Sequence, residues 1–428
     1  MTGHLLIGQT LGFSGDPFVA EWAAVSRHSA RGAVLIRDGR IAAVGEADDL
    51  RRSHPGIPIT DYGNALISAG FVDAHMHYPQ TGIIASWGKR LIDWLNTYTF
   101  PEEMRLADPV YARAVAERSL DLALAHGTTT QASFCTSHPG SVDAYFEAAA
   151  ARGMRVVAGK TCMDRHAPAG LCDTAQSAYD DSRALLQRWH GKGRALYAIT
   201  PRFSPTSTPD QLSALGALWA ENPDCLLQTH LSEQSDEIAW VRGLFPAARD
   251  YLDTYETHGL LGPRGLYGHA IHLDPREIDR LAEVGAAVVH CPTSNTFIGS
   301  GLFDLAGLKA RGVPVGLATD TGGGSSFSML RTMAAAYEIG QLRGAALHPA
   351  QLMWLATEGS AQALHLGGVI GRLAAGADAD IVVLDLASTP AISQRAERAN
   401  TFWEALFPTI MMGDDRAVRA VWVGGRLV

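Results

Sequence analysis

Short runs of β-branched and other apolar residues alternate with longer stretches in which apolar side chains recur at helical spacing, the pattern expected of parallel βα units. Eight of the short runs read as strands, at 66–73, 128–134, 155–160, 195–200, 225–229, 266–270, 286–290 and 313–319. Eight parallel strands with crossover helices predict an α/β chain built on a closed (β/α)8 TIM barrel. Helix starts punctuate the intervening stretches. Asp108-Pro109 opens one that Gly127 follows, and Thr208-Pro209-Asp210-Gln211 and Asp274-Pro275-Arg276-Glu277 read as capping boxes. After Thr208, Leu212, Leu215 and Trp219 recur on one helix face, which the pattern turns toward the barrel.

Both ends of the chain carry hairpin signals instead. Residues 33–37 and 41–45 flank Asp38-Gly39, and residues 418–423 precede Gly424-Gly425 and Arg426-Leu427. The two ends are therefore expected to share one small composite β-sandwich, made of residues 1–67 and 374–428 around a barrel at 68–373. The Gly-, Ala- and Asp-rich stretch 367–380 is the expected return path between them.

Composition narrows the function classes. The 428 residues are 47% hydrophobic and 18% charged, which excludes a disordered or collagen-like chain. A net charge of −9 without any acidic or basic block argues against a nucleic-acid partner. No apolar run approaches the roughly 18 residues of a membrane span, and the first residues lack a cationic leader, so a cytoplasmic protein with no membrane partner is expected. The five cysteines are odd in number and include no C-x-x-C pair. They are expected to be small buried side chains in a reducing compartment.

The candidate chemistry lies at strand ends. His75 and His77 stand at i and i+2, so both imidazoles project to the same side of an extended chain. His230 follows the fifth strand candidate, His269 lies in the sixth, and Asp320 follows the eighth. Catalysis in barrel enzymes occupies the face formed by these carboxyl ends. Three imidazoles and a carboxylate suit a borderline divalent ion such as zinc, with the fifth residue in a supporting position. Such an ion activates water for hydrolysis near neutral pH. Glu233, three residues after His230, is the candidate proton carrier. Neither the H-E-x-x-H helix of metalloproteases nor the H-x-E…P-C-x-x-C signature of cytidine-type deaminases is present.

Other polar positions receive structural readings. His290-Cys291-Pro292 is expected to shape the rim of the site, Lys160 to be a charged rim residue, and Gly322–Gly324 to form a close-packed turn near the metal face. His126, His138, His166, His258, His272, His348 and His365 lack a converging set. Trp87 and Trp94 fit either a lid segment or buried packing.

Several segments resemble the amidohydrolase superfamily: Gly70-Phe71-Val72-Asp73-Ala74-His75-Met76-His77, Gln228-Thr229-His230-Leu231-Ser232-Glu233, Gly268-His269, His290-Cys291-Pro292-Thr293-Ser294-Asn295 and Thr319-Asp320. Ala69 departs from the proline that many members place before the glycine. Narrower segments resemble the guanine deaminases within it: Tyr78-Pro79-Gln80, Leu95-Asn96-Thr97-Tyr98-Thr99-Phe100-Pro101, Thr200-Pro201-Arg202-Phe203 and the run from Gly322 to Leu330.

The resemblance covers most of the chain. It implies a (β/α)8 barrel with a composite β-sandwich and a homodimer. The implied activity is hydrolysis of a C–N bond in a cyclic amidine, converting guanine to xanthine and ammonia in purine catabolism. By position, His75, His77, His230 and Asp320 would hold one zinc ion per chain, iron also fitting. His269 and Asp320 would orient the nucleophile and Glu233 would shuttle the proton. Gln80, Arg202, Phe203 and His230 match the positions that contact a small-molecule purine base. Their chemistry suits that role: an amide, a guanidinium fork for a carbonyl oxygen, and a flat apolar face. Related aminohydrolases acting on an oxidised purine, a triazine or an adenosine-type substrate are the alternative. Two-metal members place a carboxylated lysine after the fourth strand, where this chain has Thr200-Pro201-Arg202, so a single ion is expected.

Overall fold

The structure, a computed structural model, describes residues 3–88 and 90–428. The first two positions of the expected N-terminal segment lie outside the described residues. The chain begins with β1 (Gly3–Phe13), β2 (Ser26–Arg37), β3 (Arg40–Glu46) and β4 (Ile59–Ala69), and ends with three strands of the same sheet. Between them run β5 (Phe71–His77), β6 (Thr128–Phe134), β7 (Arg155–Gly159), β8 (Thr161–Cys162), β9 (Ala195–Pro201), β10 (Leu226–Leu231), β11 (Gly265–His269), β12 (Ala287–His290) and β13 (Val315–Leu317). The terminal strands are β14 (Ile381–Leu384), β15 (Val418–Val423) and β16 (Arg426–Leu427).

The strands between β5 and β13 pair in the order β13-β12-β11-β10-β9-β7-β6-β5, with the short β8 beside β9. The recorded pairings within this order are parallel. Helices such as Pro109–Ala125, Pro139–Arg152 and Pro209–Glu221 carry the crossovers. The period-2 alternation sorts side chains cleanly. Val72, Val157, Ala198, Leu226 and Leu266 cluster as the barrel interior, while their neighbours Phe71, Val156, Ile199 and Leu227 join the large layer under the helices. The seam between first and last strands is closed by Asp73, which accepts from Thr319 N at 3.0 Å and Thr319 Oγ1 at 2.5 Å. Two further bonds complete it, Asp320 N to His75 O at 2.9 Å and His77 N to Thr321 O at 2.6 Å.

Both ends of the chain meet in one seven-stranded sheet, ordered β16-β15-β14-β4-β1-β2-β3. Both expected hairpins form within it. The strand expected at 66–73 is instead two. Its first half finishes β4 in the terminal sheet, where Ala69 pairs with Ile381, and its second half begins β5 in the barrel. Gly70 sits at the break, and a Cβ there would lie 2.3 Å from Thr129 Oγ1.

Asp274 and Glu277 form both halves of a capping box. Thr208 forms only one: its hydroxyl accepts from Gln211 N at 3.3 Å, while the buried Gln211 amide returns no bond. Four cysteines are buried and none is disulfide-bonded; Cys172, expected to be buried, is only partly so. Among the described residues no helix is long and apolar enough to cross a membrane.

Candidate active site

The alternation of β5 turns His75 and His77 together into the barrel mouth, with a buried Met76 on the opposite side. His230 sits near the end of β10, His269 ends β11, and Asp320 lies just past β13. His269 (φ 69°) and Asp320 (φ 47°) adopt left-handed backbone that costs a non-glycine residue about 1–2 kcal/mol. Gly268 lets His75 reach the centre, because a Cβ there would stand 2.7 Å from the ring's Cε1.

The donor atoms that converge are mutually close. His77 Nε2 lies 3.2 Å from His230 Nε2, and Asp320 Oδ1 lies 3.5 Å from both His75 Nε2 and His77 Nε2. A tetrahedral ion with ligand bonds of about 2.0–2.1 Å requires donor separations of about 3.3–3.4 Å. The set fits such an ion. His230 Nδ1 donates to Arg202 O at 2.7 Å, which leaves its Nε2 lone pair facing the cluster. Buried His75 Nε2 has no hydrogen-bond partner. Burial, followed by neighbouring imidazoles, holds His77, His230 and His269 well below the ordinary histidine pKa, in the neutral form that ligates.

His269 stands slightly apart. Asn295 Nδ2 lies 2.9 Å from its Nδ1, and its Nε2 faces Glu233 Oε2 at 3.5 Å and Asp320 Oδ2 at 3.8 Å. Glu233 is 2% exposed, and its Oε1 accepts from Ser300 Oγ at 3.0 Å. Burial, then the Glu237 and Asp320 carboxylates, push its carboxyl well above the usual range. A carboxyl so placed is suited to giving and taking a proton.

The cluster opens into a cavity that it shares with polar and apolar side chains. Gln80, Arg202 and Phe203 line one side, and Leu91, Trp94 and Leu95 line another. Trp94 is therefore buried cavity wall, whereas Trp87 is 82% exposed. Gly322 presses against Gln80, whose carbonyl oxygen a Cβ would approach to 2.7 Å.

The nine sequence-predicted site residues thus come together: His75, His77, His230, His269, Asp320 and Glu233 around the donor cluster, and Gln80, Arg202 and Phe203 beside it. Two structural expectations are corrected. Lys160 is not at the rim: it is fully buried and paired to Asp173 Oδ2 at 2.6 Å. His290 and Cys291 are likewise buried, with the Cys291 thiol within 4.8 Å of donor atoms of His75, His269 and Asp320. His272 stays outside the cluster and bonds Ser300 O at 2.8 Å, bracing the loop that supports Glu233. Sequence reasoning gave no role to Glu103, which accepts from Gln80 Nε2 at 2.9 Å and from Arg202 Nη1 at 3.0 and 2.8 Å. It gave none to Ser300 or Asn295 either, although Asn295 stands in a quoted motif.

Residues 66–428 match the Amidohydrolase family, and residues 32–56 match an imidazolonepropionase-like composite domain of bacteria. The chain is 44% identical to the guanine deaminase of Escherichia coli K12 over 409 residues, covering 95% of this chain and 93% of the relative. The solved E. coli guanine deaminase superposes with a TM-score of 0.97 at 42% identity, covering 99% of each chain. A guanine deaminase from C. acetobutylicum, solved with guanine bound in its active site, superposes at 0.89 with 27% identity over the full length of both chains.

Proposed function

The chain belongs to the amidohydrolase family and, within it, to the guanine deaminases, and on that premise we propose that it hydrolyses guanine to xanthine and ammonia with His75, His77, His230 and Asp320 holding one zinc ion. The observation that carries the reading is a single cavity lined by both Gln80, Arg202 and Phe203 and the donor cluster with Glu233. An amide, a guanidinium fork and a flat ring suit a purine edge and face.

An ion held by those residues would supply Lewis-acid activation of water. Glu233 would take a proton from the attacking water and hand it to the ring, then take the second proton, from the hydroxyl added at the ring carbon, and pass it to the departing amine. Ser300 fixes the glutamate's position through its hydroxyl. His269 and Asp320 orient the attacking oxygen, and Asn295 holds the imidazole in place. Phe203, 3% exposed, offers the base an apolar face and excludes water from one side. Iron fits the same donor set. The enzyme acts in the cytoplasm as a homodimer, and the boundary expected between residues 67 and 68 moves to Gly70, because β4 of the terminal sheet runs to Ala69.

The test is ammonia release from guanine by purified, zinc-loaded protein, with metal content measured in parallel and adenine, cytosine and 8-oxoguanine as competitors. Ammonia and xanthine in equal amounts from guanine, with about one ion per chain, is the expected result. Metal-loaded protein inert on guanine overturns the reading, and activity on another member of the panel would transfer the mechanism to that base.

A further inference from the structure

Glu103 lies on the helix Phe100–Arg105, in the segment between β5 and β6, and is fully buried. Its carboxylate holds two of the residues that read the base. Oε1 accepts from both Gln80 Nε2 (2.9 Å) and Arg202 Nη1 (3.0 Å), and Oε2 accepts from the same Arg202 nitrogen at 2.8 Å. Phe100 lies under the guanidinium, 5.5 Å from ring centre to Cζ. A carboxylate has acceptors only, so the Gln80 amide must turn its NH2 toward Glu103. Gln80 Oε1 and the Nε and Nη2 groups of Arg202 then have no partner among the described residues, on side chains that line the cavity.

We propose that Glu103 is a positioning residue that sets substrate specificity: by fixing the Gln80 amide in one orientation beside Arg202, it makes the cavity present an acceptor next to a cationic donor. That pair complements a lactam edge, a ring N–H adjacent to a carbonyl oxygen. It opposes an amidine edge, where a bare ring nitrogen adjoins an amino group. The proposal rests on the guanine reading and specifies which feature of the purine is selected. Without the carboxylate, Gln80 rotates freely between its two amide orientations, and the cavity accepts either edge.

The experiment compares guanine with 2,6-diaminopurine, which keeps the 2-amino group and replaces the lactam by an amidine. The kcat/KM ratio for the two bases is measured for wild type, Glu103→Gln, Gln80→Leu and the double variant, with thermal denaturation of each. Wild type is expected to favour guanine. Glu103→Gln should lower that preference by about 10- to 100-fold, the worth of one or two oriented hydrogen bonds involving a charged group. The preference of the double variant should equal that of Gln80→Leu alone. A ratio within twofold of wild type in folded Glu103→Gln, or a full further loss in the Gln80→Leu background, overturns the proposal. Should Glu103→Gln not fold, Gln80→Leu decides: an unchanged preference there overturns it as well. Wild type inert on guanine is a different result, the failure of the guanine reading itself.

Discussion

Replacing Glu233 by glutamine separates chemistry from architecture. The side chain is buried and bonded by Ser300 Oγ at 3.0 Å, and burial with the nearby Glu237 and Asp320 carboxylates pushes its carboxyl well above the usual range. An isostere of the same size that still accepts from Ser300 should change stability by no more than about 1 kcal/mol. Metal content should also persist, because the close donor contacts are those of His75, His77, His230 and Asp320. An amide cannot take and return a proton, so the reaction loses its general acid–base assistance. That assistance contributes about 10²- to 10⁴-fold, equivalent to about 3–5 kcal/mol of barrier. Xanthine formation from guanine by purified Glu233→Gln, beside its metal content and melting temperature, tests this. Turnover within tenfold of wild type would refute the proton-carrying role. An inactive variant that had also lost its metal would refute the separation of Glu233 from the ion-holding set.

Dialysis against a strong chelator should abolish turnover and lower the melting temperature, because an ion bound only by the folded state stabilises it; stoichiometric zinc should restore both, and unchanged activity in metal-free protein would exclude the assignment. Lys160→Met should destabilise the fold by about 1–3 kcal/mol in urea denaturation, since it leaves the part-buried Asp173 without its 2.6 Å partner. A loss below about 0.5 kcal/mol would show that the pair contributes nothing to the fold. Burial raises the Glu277 carboxyl from 4.5 to about 7. The folded state therefore holds a proton there that the unfolded chain releases, so this contribution is full below pH about 4.5 and is lost as pH rises to about 7, by about 3 kcal/mol. The difference between wild-type and Glu277→Gln stability should shift by that amount across the window, and parallel curves would show an ordinary carboxylate.

Elements whose pattern is local were legible in the sequence. The strands and the paired histidines on β5 follow from alternation, and the Asp274 box from four consecutive residues. The run at 66–73 shows the limit. Its apolar pattern is continuous, and only the contacts of Gly70 with Thr129 and Asp380 decide that one half joins each sheet. The Gln211 amide illustrates the same point at smaller scale: Thr208-x-x-Gln211 satisfies the capping pattern, yet tertiary packing buries the glutamine away from the return bond. Lys160 looked like a rim charge because nothing near it in sequence neutralises it; Asp173 does so from across a loop.

Glu103 was illegible for a deeper reason. It follows Glu102 and precedes Arg105, a charged stretch that resembles a solvated helix turn, and its partner Arg202 is 99 positions away. The same separation explains how the site divides its work. The residues proposed to hold the ion sit at or just beyond the ends of strands β5, β10 and β13, inside the hydrogen-bonded frame of the barrel. Gln80, proposed to contact the base, and Glu103, which holds it, belong instead to the excursion between β5 and β6, which also supplies Trp94 and Leu95 to the cavity wall. Arg202 and Phe203, just past the end of β9, help join that excursion to the barrel, as do Ser133 of β6 and Gln234 beyond β10. The buried Glu103–Arg202 pair fastens that excursion to the end of β9, and Arg202 O in turn accepts from His230 Nδ1, so the proposed base-contacting and ion-holding groups are linked through one residue.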